Sequence, residues 1–226
     1  MAAAKTDRAE PPTTACGAAG RECCLLTRLG VPSSIANFAM GTQLAIALIV
    51  APLGEDAIAG AGIGVMWQNV TAVSVFVGIQ YGFGALCAQA FGSKNYRRTG
   101  VLLQRTLLVQ AVLCVPMAVL WYETEAILLA LGQPATVSQY AGVFVRTQLI
   151  ALPFQGLYQA LATFLRSQML VRLVMYLSVP TAVFMIVLAK VLVDENFVGL
   201  GFIGAPLALA IGGVVQSLLL LWLVPR

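Results

Sequence analysis

The sequence predicts an all-α membrane protein with six transmembrane helices, on three observations. The first is composition. Of 226 residues, 60% are hydrophobic and 10% charged, and the mean hydropathy is +0.90. Soluble domains carry roughly 45–50% apolar and about 25% charged residues. Disorder is therefore excluded, and a water-soluble enzyme would have too few polar residues to cover its surface. The second is a series of six apolar stretches, each at least as long as the ~18 residues that mark a spanning helix. The third is the alternation of basic residues between those stretches.

The chain starts with a polar lead, residues 1–29, holding Lys5, Asp7, Arg8, Glu10, Pro11, Pro12, Arg21, Glu22 and Arg28. It contains no apolar run of the kind a secretory signal needs, so it reads as a disordered cytoplasmic tail. The six-helix region, 30–226, follows. Its spans run at about 33–52, 57–84, 101–121, 137–165, 170–193 and 201–224, with the second continuing as helix toward Phe91. Helix is the assignment because it satisfies its own backbone hydrogen bonds in lipid. A barrel would show alternating segments of about ten residues, and none occur.

Counted from the tail through the five loops to the end, basic residues number 4, 0, 4, 0, 2, 1 and 1. That alternation is what the positive-inside rule expects of six spans with both termini cytoplasmic. Loop two carries Lys94, Arg97 and Arg98, with Arg105 close behind. Arg146 lies within span four, near enough to the outer face to snorkel. All nine acidic residues fall in the tail or the outward loops, so no span holds the carboxylate that ion-coupled transporters usually use as a relay.

Other chemistry is excluded. There is no histidine, so no His-based triad and few zinc sites are available. Without histidine or an embedded acid there is no nucleophile–base pair, and no enzyme activity, cofactor or metal is expected. A net charge of +4, not gathered on one face, argues against a nucleic-acid partner. The five cysteines, Cys16, Cys23, Cys24, Cys87 and Cys114, form no disulfide framework. Cys23 and Cys24 precede the first span, a position open to palmitoylation or to inert thiols.

Polar residues inside the spans mark candidate lining. Span four carries Gln148, Gln155, Gln159 and Arg166 at steps of 7, 4 and 7, one helical face. The amides line a water-filled cavity or bond neighbouring helices. Pro153 in the same span predicts a kink. Asn37 in span one carries the same two readings. Span two has Gly60, Gly64, Trp67, Thr71, Ser74 and Gly78 at alternating steps of 4 and 3, a packing seam of small residues. Trp67, Gln68 and Asn69 interrupt it at mid-span. A tryptophan that deep is a candidate for holding a flat or cationic ligand. Gly201, Gly204, Gly212, Gly213 and Pro206 in span six read as flexible or close-packing positions.

The stretch from Gly84 to Tyr96, GALCAQAFGSKNY, resembles the signature that follows the second helix of the multidrug and toxic compound extrusion (MATE) family. Three further segments resemble that family in order: Gly100–Thr106, Phe164–Gln168 and Gly199–Ala208. Gln89, Gly92, Asn95, Gln104, Arg105, Arg166 and Gln168 fall in these motifs and read as folding and gating elements, with Gly92 ending the second helix in a left-handed conformation. The resemblance implies one six-helix lobe of a twelve-helix transporter. Members export organic cations, drugs and metabolites by alternating access, in exchange for protons or sodium. It also implies a substrate cavity at the lobe interface, for which Asn37, Trp67, Gln68, Gln148, Gln155 and Tyr158 are the lining candidates. The first-helix carboxylate of some members is absent, with Asn37, Met40 and Gln43 in that region, and Lys190 stands near a family asparagine. The expected partners are the lipid bilayer, a small organic substrate, and either a C-terminal lobe or a second copy of the chain. An alternative is a non-transporting six-helix protein that binds or regulates a full-length transporter.

Overall fold

The structure is a computed structural model and describes residues 49, 50, 52, 54–194 and 199–223. Most of predicted span one, with Asn37, lies outside the described residues. Every described element is helical. A helix of two α segments, α1 (Glu55–Gln68) and α2 (Ser74–Gly92), is continuous through a π turn at Asn69–Val73. Next come α3 (Tyr96–Tyr122), the short α4 (Thr124–Ala130) and α5 (Ala135–Thr147). A 3-10 turn, Gln148–Ala151, joins α5 to α6 (Leu152–Ser167). The final hairpin is α7 (Val171–Val193), a 3-10 turn at Gly201–Ile203, and α8 (Gly204–Leu223).

Four of these helices are long and apolar enough to cross a membrane: 55–92, 96–122, 171–193 and 201–223. The stretch predicted as span four is divided by its 3-10 turn, because Pro153 lacks the N–H that would bond the Leu149 carbonyl four residues back. The Leu152 N–H takes that carbonyl instead, closing the tighter 3-10 turn. Pro153 itself sits in the first turn of α6, where a missing donor costs little.

The helix faces are inverted relative to a protein in water. Along α3 the buried face carries Thr99, Thr106, Gln110, Met117 and Trp121, while Leu108, Val112, Val115 and Val119 are exposed. In water that outer stripe would be an aggregation surface. In lipid it is the solvated face, and small and polar residues belong inside.

Two helix pairs organise the bundle. The 55–92 helix runs parallel to α5 and α6 at nearly constant register. A Cβ built on Gly60 meets Tyr140, one on Gly64 meets Phe144, one on Gly84 meets Thr163, and one on Gly156 meets Phe76. Ser167 donates to the Cys87 sulfur at 3.1 Å at the far end. Each partner is about 80 residues further along the chain. The predicted small-residue seam holds only for its first half. Beyond the π turn, Ser74 is exposed and the Cβ position of Gly78 meets no described atom within 4 Å. The buried stripe shifts to Ala72, Phe76, Gln80, Phe83 and Cys87. A π turn bonds i to i+5, so it slips the helix phase by about one residue. The α7–α8 hairpin is antiparallel and equally close. A Cβ on Gly204 would lie 2.7 Å from the Leu192 backbone, and one on Gly212 would lie 2.2 Å from Met185 Cγ.

Gly92 is not the left-handed residue of the turn after α2. The helix runs through it, and Lys94 takes the left-handed conformation at φ 58. The Lys94 and Asn95 N–H groups donate to the Phe91 and Ala90 carbonyls at 2.9 and 3.0 Å. The bonds closing the turn require positive φ two residues past Gly92. The end of α6 repeats this turn with Met169 at φ 63.

Candidate functional site

The helix formed by α1 and α2 and its partner formed by α5 and α6 are both broken halfway along, at the same level. The π turn leaves backbone carbonyls out of α register, and two hydroxyls take them. Thr71 Oγ1 donates to the Trp67 carbonyl at 2.7 Å, and Ser74 Oγ to the Asn69 carbonyl at 2.6 Å. Trp121 Nε1 donates to Thr71 Oγ1 at 2.9 Å and ties the break to α3. Trp121 is fully buried with Ala72, Phe76, Phe144, Val145 and Leu152, and Trp67 and Leu149 pack against that cluster.

Three side-chain N–H groups at this level have no partner among the described residues: Trp67 Nε1, Gln68 Nε2 and Gln148 Nε2. Gln68 is only 3% exposed. The constant register of the paired helices sets Gln148 at the height of Gln68. A buried donor left unpaired costs about 1–3 kcal/mol. Three at one level of a helix pair mark a place suited to water or a polar ligand.

Two amides missed by the sequence reading lie further along α2 and α3. Gln80 and Gln110 are 7% and 3% exposed, and neither amide has a hydrogen-bond partner among the described residues. The Gln110 amide lies 3.7 Å from the Cβ position of Gly156, beside the Phe76 ring. The available signal was periodicity: Gln110 falls on the 7, 4, 7, 4 spacing of Thr99, Thr106, Met117 and Trp121.

Of the predicted lining residues, Trp67, Gln68 and Gln148 stand at one level of the helix pair, and Gln155 is half-buried on α6, beyond the break. Tyr158 is not part of that group. It belongs to a separate core with Leu161, Leu165, Val174 and Leu220. Nor do the span-four amides share one face. Four residues of 3-10 helix, at three residues per turn, wind Gln148 about 80° away from Gln155 and Gln159. Among the motif residues, Asn95 caps α3 by accepting from the Arg98 N–H at 3.1 Å. Gln89, Gln104 and Arg105 are exposed, and Arg166 and Gln168 are half-buried.

Arg146 closes the end of α5. It pairs with Glu125 at 3.2 Å and donates from Nε to the Tyr122 carbonyl at 2.9 Å. Its guanidinium also stands 5.3 Å from the centre of the Tyr122 ring. Among the described residues no group of three or more His, Cys, Asp or Glu side chains converges on a metal-sized space.

The profile of the family described as MatE matches residues 32–191. The chain is 32% identical over 197 residues to an uncharacterized transporter of Schizosaccharomyces pombe, covering 87% of this chain and 37% of that one. It is 32% identical to Protein DETOXIFICATION 18 of Arabidopsis thaliana, covering 73% and 34%. The crystal structure of a eukaryotic MATE transporter, AtDTX14, superposes with a TM-score of 0.83 at 29% identity, over 89% of this chain and 45% of that one. The chain thus spans a little over a third of those two curated relatives and corresponds to one half of the solved transporter's fold.

Proposed function

The chain belongs to the MatE family, and from that premise we propose that it supplies the N-terminal lobe of a secondary active antiporter. Its substrates are organic cations, drugs or metabolites, exported in exchange for protons or sodium. The observation that carries this reading is the set of unpartnered buried donors at Trp67, Gln68 and Gln148, where two packed helices break at mid-length. Secondary transporters bind substrate near the membrane midplane, at interrupted helices between two repeats.

In this reading the chain's residues do three things. Trp67 offers an aromatic surface for a flat or cationic group. Gln68, Gln148 and Gln155 supply amides that hydrogen-bond substrate or the water around it. The close contacts of Gly60 and Gly64 with α5 keep the two helices moving as one body while the lobe rocks against its partner, a C-terminal lobe or a second copy of the chain. Every described acid (Glu55, Asp56, Glu123, Glu125 and Asp194) lies at a helix end or in a connection. The coupling carboxylate is accordingly assigned to the partner lobe. The basic loops after α2 and α6 face the cytoplasm in this arrangement, as do both termini.

The test is Gln68→Leu and Gln148→Leu in the transporter assembled with its partner lobe, read as ethidium efflux at matched surface abundance. Efflux should fall at least tenfold while thermal stability holds or rises, because each change removes an unpartnered buried amide. Unchanged efflux with lowered stability would show that these amides are interhelical bonds and would overturn the assignment.

A further inference from the structure

A cleft of about 380 Å³ opens at the start of α3, lined by Asn95, Arg97, Arg98, Val101, Leu102 and Arg105. Its charge is one-sided. Three arginines line the cleft, and no carboxylate does among the described residues. Arg97, Arg98 and Arg105 make no ion pair among the described residues, whereas Arg146 pairs with Glu125. Three like charges along one exposed stretch of helix favour an anion among them. The volume equals that of about a dozen liquid waters, more than a bare ion needs. Two of the lining residues, Val101 and Leu102, are apolar.

The depth of Arg105 selects the kind of anion. At 27 residues, α3 is about 40 Å long, against a hydrocarbon core of about 30 Å. Its outer end is marked by Tyr122 and Glu123, so the surplus of about 10 Å falls at the Tyr96 end. Arg97 and Arg98 then stand in the headgroup layer. Arg105, two helical turns on, stands at its lower edge, where its side chain reaches up toward phosphate. Val101 and Leu102 between them form the apolar wall that an acyl chain would follow. Guanidinium groups suit this ligand because their paired N–H donors match phosphate oxygens.

We propose that this cleft binds the phosphate headgroup of an anionic phospholipid, held between Arg97, Arg98 and Arg105, as a site separate from the mid-membrane polar group. Lipid held there would bridge the α2–α3 turn and the membrane surface.

The test uses the purified, delipidated chain in neutral detergent and counts bound lipid by native mass spectrometry. The probes are phosphatidylserine, phosphatidylcholine and inorganic phosphate. Phosphatidylserine should bind at least tenfold tighter than phosphatidylcholine. Each neutralised arginine should cost about fivefold, so Arg97→Gln/Arg98→Gln/Arg105→Gln together should weaken phosphatidylserine about 100-fold. Arg172→Gln, an exposed arginine at the start of α7, should change nothing. If the triple variant fails to fold, Arg105→Gln alone should still show the fivefold loss. The triple Arg→Lys variant should keep more than half of that lost binding energy. Equal binding of the two lipids, or wild-type affinity in the triple or single glutamine variant, would overturn the proposal. Inorganic phosphate that displaces the lipid at millimolar concentration, with the same arginine dependence, would also overturn it in favour of a soluble phosphate.

Discussion

Replacing Gly60 with alanine tests the contact on which the parallel helix pair depends. A Cβ at Gly60 would lie 2.3 Å from Tyr140 Cβ, 3.1 Å from the Val137 carbonyl oxygen and 3.2 Å from the Ala141 nitrogen. Ordinary carbon contact begins at about 3.5 Å, so α1 and α5 must part by about 1.2 Å. The obstructing atoms are backbone or next to it and cannot rotate away. That places the cost at the upper end of overpacking, about 3 kcal/mol. Alanine returns up to about 1 kcal/mol through its better helix propensity, leaving a net loss of about 2 kcal/mol. Gly62 provides the control. It lies on the same helix with no described atom within 4 Å of its Cβ position, so Gly62→Ala keeps the propensity gain and meets no clash there. The two variants should differ by about 3 kcal/mol, or about 6–12 °C in midpoint for a chain of this size. The assay is thermal unfolding of both purified variants in the same detergent, followed by tryptophan fluorescence. Gly60→Ala melting at or above Gly62→Ala would show that the two helices do not meet at this point.

Four further expectations follow from other contacts. Trp121→Phe and Thr71→Val should each destabilise, with a coupling of about 1 kcal/mol in a double-mutant cycle, since Trp121 donates to Thr71; additive effects would refute the bond. Glu125→Gln should cost no more than about 1 kcal/mol because the pair is part-exposed. Arg146→Ala should cost more, since it also loses the Tyr122 carbonyl and ring, and equal melting points would contradict this. Met169→Gly should raise stability by up to about 1 kcal/mol by relieving a left-handed side-chain residue, as a denaturation midpoint would record. Gln155→Leu should impair export from the assembled transporter while leaving membrane insertion intact; normal efflux at normal surface levels would mark Gln155 as structural.

The helical class and membrane character were legible because both follow from local composition. A run of apolar residues long enough to cross lipid has one backbone solution, whatever its neighbours. The family was legible through short motifs around the α2–α3 turn and the starts of later helices. The first half of the glycine seam could also be read, because Gly60 and Gly64 lie on an undisturbed α-helix. Trp67, Gln68 and Asn69 were identified as the place where the pattern breaks.

What the sequence alone determined, then, is that the chain is helical, that it is built for lipid, and which family's motifs it carries. Tertiary structure decided everything that depends on helix phase. The π turn at Asn69–Val73 moved the buried stripe off Ser74 and Gly78 and onto Phe76 and Gln80. The 3-10 turn wound Gln148 away from Gln155, and the register of the helix pair set it level with Gln68. Tyr158, close to Gln155 in sequence, faces another core. Periodicity carries a helix phase forward only while every turn has the same number of residues. Whether a turn tightens or loosens is set by which carbonyls find donors after packing, as at Thr71 with Trp121 and at Leu149 before Pro153. The first of these involves Trp121, distant in sequence, and the level of Gln148 beside Gln68 comes from the helix pairing, so this set of polar side chains emerges only when the helices are assembled.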